Sequence, residues 1–173
     1  VTPRSKATSR PVFRGRILTV LLRSTPEGTR EVVVHPGAVA LVVPDPQGRI
    51  LLVLQDREGA GQPLWEIPAG TLDPGEKPRA AAARELWEET GLAGKLRFLG
   101  LVYPTPGYST ERTYFFLAEE VNGKPAARSE IAEVRFFSRA EVLDLARRGE
   151  GDGKTLAALA LLDGASPRQG ARA

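Results

Sequence analysis

The sequence predicts an α/β fold, a mixed sheet between helices, preceded by a small N-terminal antiparallel β element. Three observations predict it. Two apolar runs, Gly37–Val43 and Arg49–Leu54, flank the turn-rich Asp45–Gly48 and read as strands covered on both faces. An alanine-rich stretch that opens at Pro78 and stops at Gly91 reads as a helix. Beyond it, short β-like runs give way to helical spacing, and this mixture of elements buries its apolar faces best as helices on a sheet.

Residues 1–11, rich in arginine and lysine, read as a disordered basic arm. Residues 12–36 carry Phe13, the run Ile17–Leu22, a Ser24–Gly28 turn and the run Val32–Val34, a pattern of antiparallel strands. Residues 37–163 form the main domain. Its first two apolar runs predict a hairpin closed at Asp45–Gly48. Leu64–Ile67 reads as a short strand, and Arg97–Tyr103, Thr113–Glu119 and Val134–Phe137 as further ones. In the helix between them, Pro78 suits the first position, Ala80–Ala83 has high propensity, and Gly91 suits a left-handed stop. Lys77 is a poor N-cap, so Glu76 or the loop before it is expected to supply the missing partners. Ser138 and Glu141 have capping-box spacing and open a helix to about Arg148. A last helix, Lys154–Leu162, is expected to bury Leu156, Leu159 and Leu162 on one face. Residues 164–173 read as a flexible tail.

At 173 residues the chain can bury a full core. No apolar run is long enough to span a bilayer, which points to a soluble, cytoplasmic protein with no membrane partner. The absence of cysteine excludes disulfides, zinc–thiolate sites and a thiolate nucleophile. His35 is the only histidine, so a glutamate is the expected general base. The net charge of +3 is concentrated at the ends, in Arg4, Lys6, Arg10, Arg14, Arg16, Arg168 and Arg172. Such ends attract nucleic acid, but the aromatic interleaving of a single-strand binder is missing. Solvated ends are therefore expected, and nucleic acid is not an expected partner.

Glu85, Glu88 and Glu89 sit at i, i+3 and i+4, so one helical face carries three carboxylates. No lysine or arginine follows within four residues to relieve their repulsion. A divalent cation among them would, and oxygen-only donors suit Mg²⁺ or Mn²⁺. Around the cluster stand Gly70, Glu76, Arg84, Leu86, Gly91 and Leu92. The spacing resembles the Nudix box, Gly-x5-Glu-x7-Arg-Glu-U-x-Glu-Glu-x-Gly-U with U aliphatic, and fills each of its fixed positions. The resemblance implies a Nudix α/β/α sandwich and metal-assisted attack of water on a pyrophosphate. It implies that Glu85 and Glu89 ligate metal, that Glu88 ligates metal or orients water, and that the backbone carbonyl of Ala69 adds a ligand. Two or three ions are implied in the substrate complex. Glu76 would brace the loop, and Arg84 would orient the carboxylates.

Outside the box, Leu64–Gly70, Tyr103–Glu111, Gly15–Ile17, Glu31–His35 and Asp152–Leu156 resemble segments of the ADP-ribose pyrophosphatase branch. This implies a nucleoside diphosphate sugar as substrate, ADP-ribose foremost, cleaved to AMP and ribose 5-phosphate. It implies Arg57 near the phosphates, Glu66 and Glu111 near ribose hydroxyls, and Pro106 in the signature loop. A glutamate on a mobile loop before the last strand would act as base or further ligand; Glu130 is nearest to that position, with Glu133 second. The branch exchanges N-terminal strands between subunits, which implies that residues 12–36 form a dimerisation element of a homodimer. One departure stands out: Leu54-Gln55-Asp56-Arg57 occupies the place of Arg-Gln-aromatic-Arg. Hydrolysis of other nucleoside diphosphate sugars or dinucleoside polyphosphates, and non-catalytic sensing of ADP-ribose, remain as alternatives.

Overall fold

The computed structural model describes residues 8–165, so the arm at 1–7 and the tail at 166–173 lie outside the described residues. Within them, strand β1 (Ser9–Arg14) takes up residues 9–11 of the expected disordered arm, and the last helix continues to Ala165.

Strands β1, β2 (Thr19–Thr25) and β3 (Gly28–Val34) form an antiparallel meander in that order. Thr25 pairs with Gly28 across the β2–β3 turn, and the φ of 120° at Gly28 is one that glycine adopts without steric cost. The meander meets the main body along a single line. Val33 donates its N–H to Tyr108 O at 2.7 Å and accepts from the Thr110 N–H at 2.9 Å. Much of its apolar surface stays open, with Phe13 59% and Ile17 50% exposed.

In the main body, β4 (Ala38–Val42), β7 (Ala69–Thr71), β8 (Ala93–Val102) and β9 (Thr113–Asn122) form a sheet in the order β7-β4-β9-β8. The β4–β9 pair is parallel and the others antiparallel, so the sheet is mixed as expected. Strands β5 (Ile50–Arg57), β6 (Gln62–Glu66) and β10 (Glu133–Phe137) form a second, antiparallel sheet in the order β10-β5-β6. This corrects the expected hairpin. Its turn forms, with the Asp45 N–H on Arg49 O and the Leu51 N–H on Val43 O. Past that point β4 and β5 part into different sheets. Both runs are apolar on each face, and each takes its own pair of neighbours.

Alternation along these strands divides the core in two. Ala40, Val42, Ile50, Leu52, Phe115 and Leu117 face α2 (Arg139–Arg147) and α3 (Gly153–Ala165). Val39, Leu41, Leu51, Phe116 and Ala118 face α1 (Pro78–Thr90). Each fully buried leucine or phenylalanine here stabilises the fold by about 1.5–3 kcal/mol. Helices therefore cover both faces of the mixed sheet.

Helix α2 opens with the expected capping box, Ser138 and Glu141 exchanging bonds with each other's backbone N–H. Helix α3 turns Thr155, Ala158 and Leu159 inward, and Leu156 is 39% exposed, contrary to the expected leucine face. Positions 155, 158, 159 and 162 make the i, i+3, i+4, i+7 stripe, and residue 156 falls beside it. Among the described residues, no helix is long and apolar enough to cross a membrane.

Candidate active site

Strand β7 is three residues long, and each residue serves one side chain of α1. The Ala69 N–H donates to Glu89 Oε2 at 3.0 Å. Gly70 leaves the hollow in which the Glu85 carboxylate lies; a Cβ there would stand 2.0 Å from it. The carbonyl of Thr71 accepts from Arg84 Nη2 at 3.2 Å. The helix is held in this register by its apolar stripe, Ala81, Ala82 and Leu86, all essentially inaccessible to solvent. Gly91 ends it in the left-handed region, φ 69°, donating its N–H to Trp87 O.

The three carboxylates do not share one environment. Glu85 and Glu89 are buried at 8% and 7% exposure, whereas Glu88 sits on the open edge. Arg84 gathers those within its reach. Its Nη1 bonds Glu85 Oε1 at 2.6 Å and Glu88 Oε2 at 3.1 Å, and its Nε and Nη2 grip both oxygens of Glu76. The relief of like charge therefore comes from the residue preceding the cluster. Glu76 also accepts from the Asp73 N–H at 3.1 Å, which braces the loop. It does not cap the helix, whose Lys77 N-cap is extended and carries no side-chain bond.

Hydrogen bonding to Arg84 holds the Glu76 carboxyl below its ordinary value. Burial pushes Glu85 upward against the pull of Arg84. Glu89 is pushed up to about 8, chiefly by burial, with the Ala69 N–H opposing. Two buried carboxylates, of which Glu85 alone is ion-paired among the described residues, suit a hard cation, and every available donor is oxygen. Among the described residues, however, no three acidic or histidine side chains converge into a ready cage. Arg84 holds Glu85 and Glu88 in its place.

A second charged cluster backs the first. Arg57 and Glu66 form a two-bond pair at 2.8 and 2.5 Å, and Lys154 reaches Glu66 at 3.2 Å. Glu66 is 2% exposed, while the Arg57 side chain is 36% exposed, so the arginine is the member that faces outward. Lys154 also pairs with Asp152. Asp152 caps α3 through the Thr155 N–H, and the Thr155 hydroxyl bonds the same carboxylate. That hydroxyl accepts from the Ile67 N–H at 3.0 Å, which ties α3 to the segment entering β7. Sequence reasoning passed over Lys154 and the capping role of Asp152, although aspartate three residues before threonine at a helix start is a legible N-cap signal.

The remaining predicted residues lie elsewhere. Glu111 is half-buried and accepts from Thr113 Oγ1 at 3.3 Å, and Pro106 is exposed in the loop that meets β3. Glu130 is exposed, in a turn whose neighbour Ser129 donates to Glu88 O at 3.2 Å. Glu133 opens β10. His35, whose Nδ1 accepts from the Gly37 N–H, lines an open groove of about 450 Å³ with Phe13, Ile17, Leu18 and Thr71. Thr71 joins that groove to Arg84.

A NUDIX domain profile matches residues 34–159. The chain is 39% identical to the ADP-ribose pyrophosphatase of Bacillus subtilis (strain 168) over 137 residues, covering 76% of this chain and 74% of that one. It is 44% identical to the ADP-ribose pyrophosphatase of Mycobacterium tuberculosis over 128 residues, covering 70% of this chain and 62% of the relative. A crystal structure of an ADP compounds hydrolase superposes with a TM-score of 0.73 at 22% identity, over 95% of this chain and 96% of that one, a likeness of fold.

Proposed function

The chain belongs to the Nudix family, and on that premise we propose that it hydrolyses the pyrophosphate bond of ADP-ribose to AMP and ribose 5-phosphate. The observation that carries the reading is β7 under α1. A backbone amide, a glycine hollow and a carbonyl hold Glu89, Glu85 and Arg84 in fixed places. Preorganised charge of this kind is what pyrophosphate cleavage needs.

Nudix enzymes depend on a divalent metal. Here Mg²⁺ or Mn²⁺ would be held by Glu85, Glu89 and the Ala69 carbonyl, with Glu88 as ligand or water guide. Two or three ions in the substrate complex would supply Lewis-acid polarisation of the phosphoryl oxygens. The chain's own residues do the rest. Arg84 keeps the Glu85 and Glu88 carboxylates from rotating, and Glu76 keeps Arg84 in place. Arg57, held by Glu66, offers its exposed edge to phosphate. Water attacks one phosphorus, the bridging P–O bond breaks, and the proton of the water passes to Glu130. Glu111 and the Pro106 loop border the ribose side. The open apolar surface of β1 and the β1–β2 connection supports a homodimer closed through the N-terminal meander.

One observation favours a second reading, another nucleoside diphosphate sugar as the preferred substrate. Leu54 and Asp56 offer neither a cation nor a ring beside Arg57, and Glu66 is wholly engaged by Arg57 and Lys154. The test is a panel of ADP-ribose, ADP-glucose, GDP-mannose, diadenosine polyphosphates and NADH with Mg²⁺, beside a Glu85→Gln/Glu89→Gln control. AMP release fastest from ADP-ribose and absent in the control is expected. Faster cleavage of another compound moves the substrate, and binding of ADP-ribose without cleavage favours a sensor.

A further inference from the structure

The loop between β9 and β10 is docked on the C-terminal end of α1 by contacts from Ala126, Arg128 and Ser129. Ala126 donates its N–H to Thr90 O at 3.0 Å. The guanidinium of Arg128 lies over the ring of Trp87, 4.4 Å from its centroid. Ser129 Oγ donates to Glu88 O at 3.2 Å. Two glycines let the loop come this close. A Cβ on Gly91 would stand 2.9 Å from Arg128 Nε, and one on Gly123 would stand 3.0 Å from Gly91 O.

Within the loop, the Ile131 N–H closes a turn onto Arg128 O at 3.0 Å, with Ser129 and Glu130 at its corners. Ser129 takes φ 52°, a conformation that a residue with a Cβ enters only at a cost. Its hydroxyl bond to the helix holds it there. On the far side, Ile131 is buried at 7% exposure and the Ala132 N–H donates to Leu54 O at 2.9 Å. Glu130 is exposed, but the chain on both sides of it is anchored. Trp87, by contrast, is 52% exposed on the outer face of α1, where a large ring adds little to the core. What it does have is a cation stacked on it.

We propose that Arg128 is a positioning residue: stacked on Trp87, it latches the loop to α1 and so fixes Glu130 beside the carboxylate helix. The proposal rests on the reading that Glu130 accepts the proton of the attacking water. A cation–π contact is well suited to such a latch, because it is strong enough to bias a surface loop and weak enough to open.

Two measurements test it. In acrylamide quenching, the accessible tryptophan signal belongs to Trp87, since Trp65 is only 8% exposed, and Trp87→Phe verifies the assignment. Arg128→Ala should raise that quenching with little change in melting temperature; unchanged quenching overturns the latch, whatever the activity. In steady-state kinetics, Arg128→Ala should lower kcat about tenfold with KM nearly constant, a part of what a positioned base contributes. Arg128→Lys should recover some of the loss, because an ammonium can still sit over the ring. In the Glu130→Gln background the same Arg128→Ala change should cost almost nothing. An equal cost in both backgrounds, or full activity of Arg128→Ala beside a crippled Glu130→Gln, overturns the positioning role. If the wild type fails to cleave ADP-ribose at all, the functional reading fails, while the quenching result still decides the latch.

Discussion

Gly70 and Glu85 stand so close that a Cβ on the glycine would lie 2.0 Å from the glutamate's carboxyl carbon. The glycine is needed for the space it leaves. Gly70→Ala should therefore displace Glu85 by about an ångström or swing it outward, and misplacement on that scale costs about 100-fold in rate. The check is metal-dependent AMP release from ADP-ribose. Near-wild-type turnover by the variant would remove Glu85 from the chemistry.

Arg84 holds Glu85 and Glu88 through Nη1 and Glu76 through Nε and Nη2, so the shape of the guanidinium matters as much as its charge. Arg84→Lys should lose about 10- to 100-fold in kcat, close to the loss in Arg84→Ala. Lysine performing like arginine would show that charge alone suffices.

Mg²⁺ should raise the melting temperature of the wild type in proportion to the logarithm of its concentration above Kd. The Glu85→Gln/Glu89→Gln variant should lose that rise. A thermal-shift titration reads this without any substrate.

The Asp152–Lys154 pair sets a pH dependence. Burial pushes the Asp152 carboxyl up, but the Lys154 charge and the Thr155 bonds outweigh it and leave it below its ordinary 3.8. Burial pushes Lys154 down, and the Asp152 and Glu66 charges outweigh that and leave it above its ordinary 10.5. The Asp152 contribution is thus complete above 3.8 and lost as pH falls through its lowered value. That of Lys154 is complete below 10.5 and lost as pH rises through its raised value. Asp152→Asn should cost about 2–4 kcal/mol at neutral pH and flatten the acid limb of stability in urea titrations.

Charges placed on the open meander should disperse a dimer. Sedimentation of Phe13→Asp/Ile17→Asp is expected to give a monomer where the wild type gives a dimer. A monomeric wild type would leave that apolar surface without the partner proposed for it.

The box was legible because its chemistry is local: one loop and one helix hold Gly70, Glu76, Arg84 and the carboxylates within a short stretch of chain. That β4 and β5 would be covered on both faces was legible too, because each run is apolar almost throughout. The parting of β4 and β5 was not, because two apolar runs joined by a good turn say nothing about which neighbours each will take. Leu156 misled because a helix of mostly apolar residues offers more than one candidate face. Arg57, Glu66, Lys154 and Asp152 come from separate segments, and no periodicity links them. The stacking of Arg128 on Trp87 depends likewise on a loop meeting a helix it does not adjoin in sequence.

The Thr155 hydroxyl reaches Ile67 across 88 positions of chain. The segment that leads into the carboxylate site is therefore pinned by an element synthesised well after it. A growing chain that has already exposed all of Gly70–Leu92 still lacks the peg that seats β7. Moved into another scaffold, the box would carry its ligands but not their anchorage. The motif marks where the chemistry is, and α3 decides when it can begin.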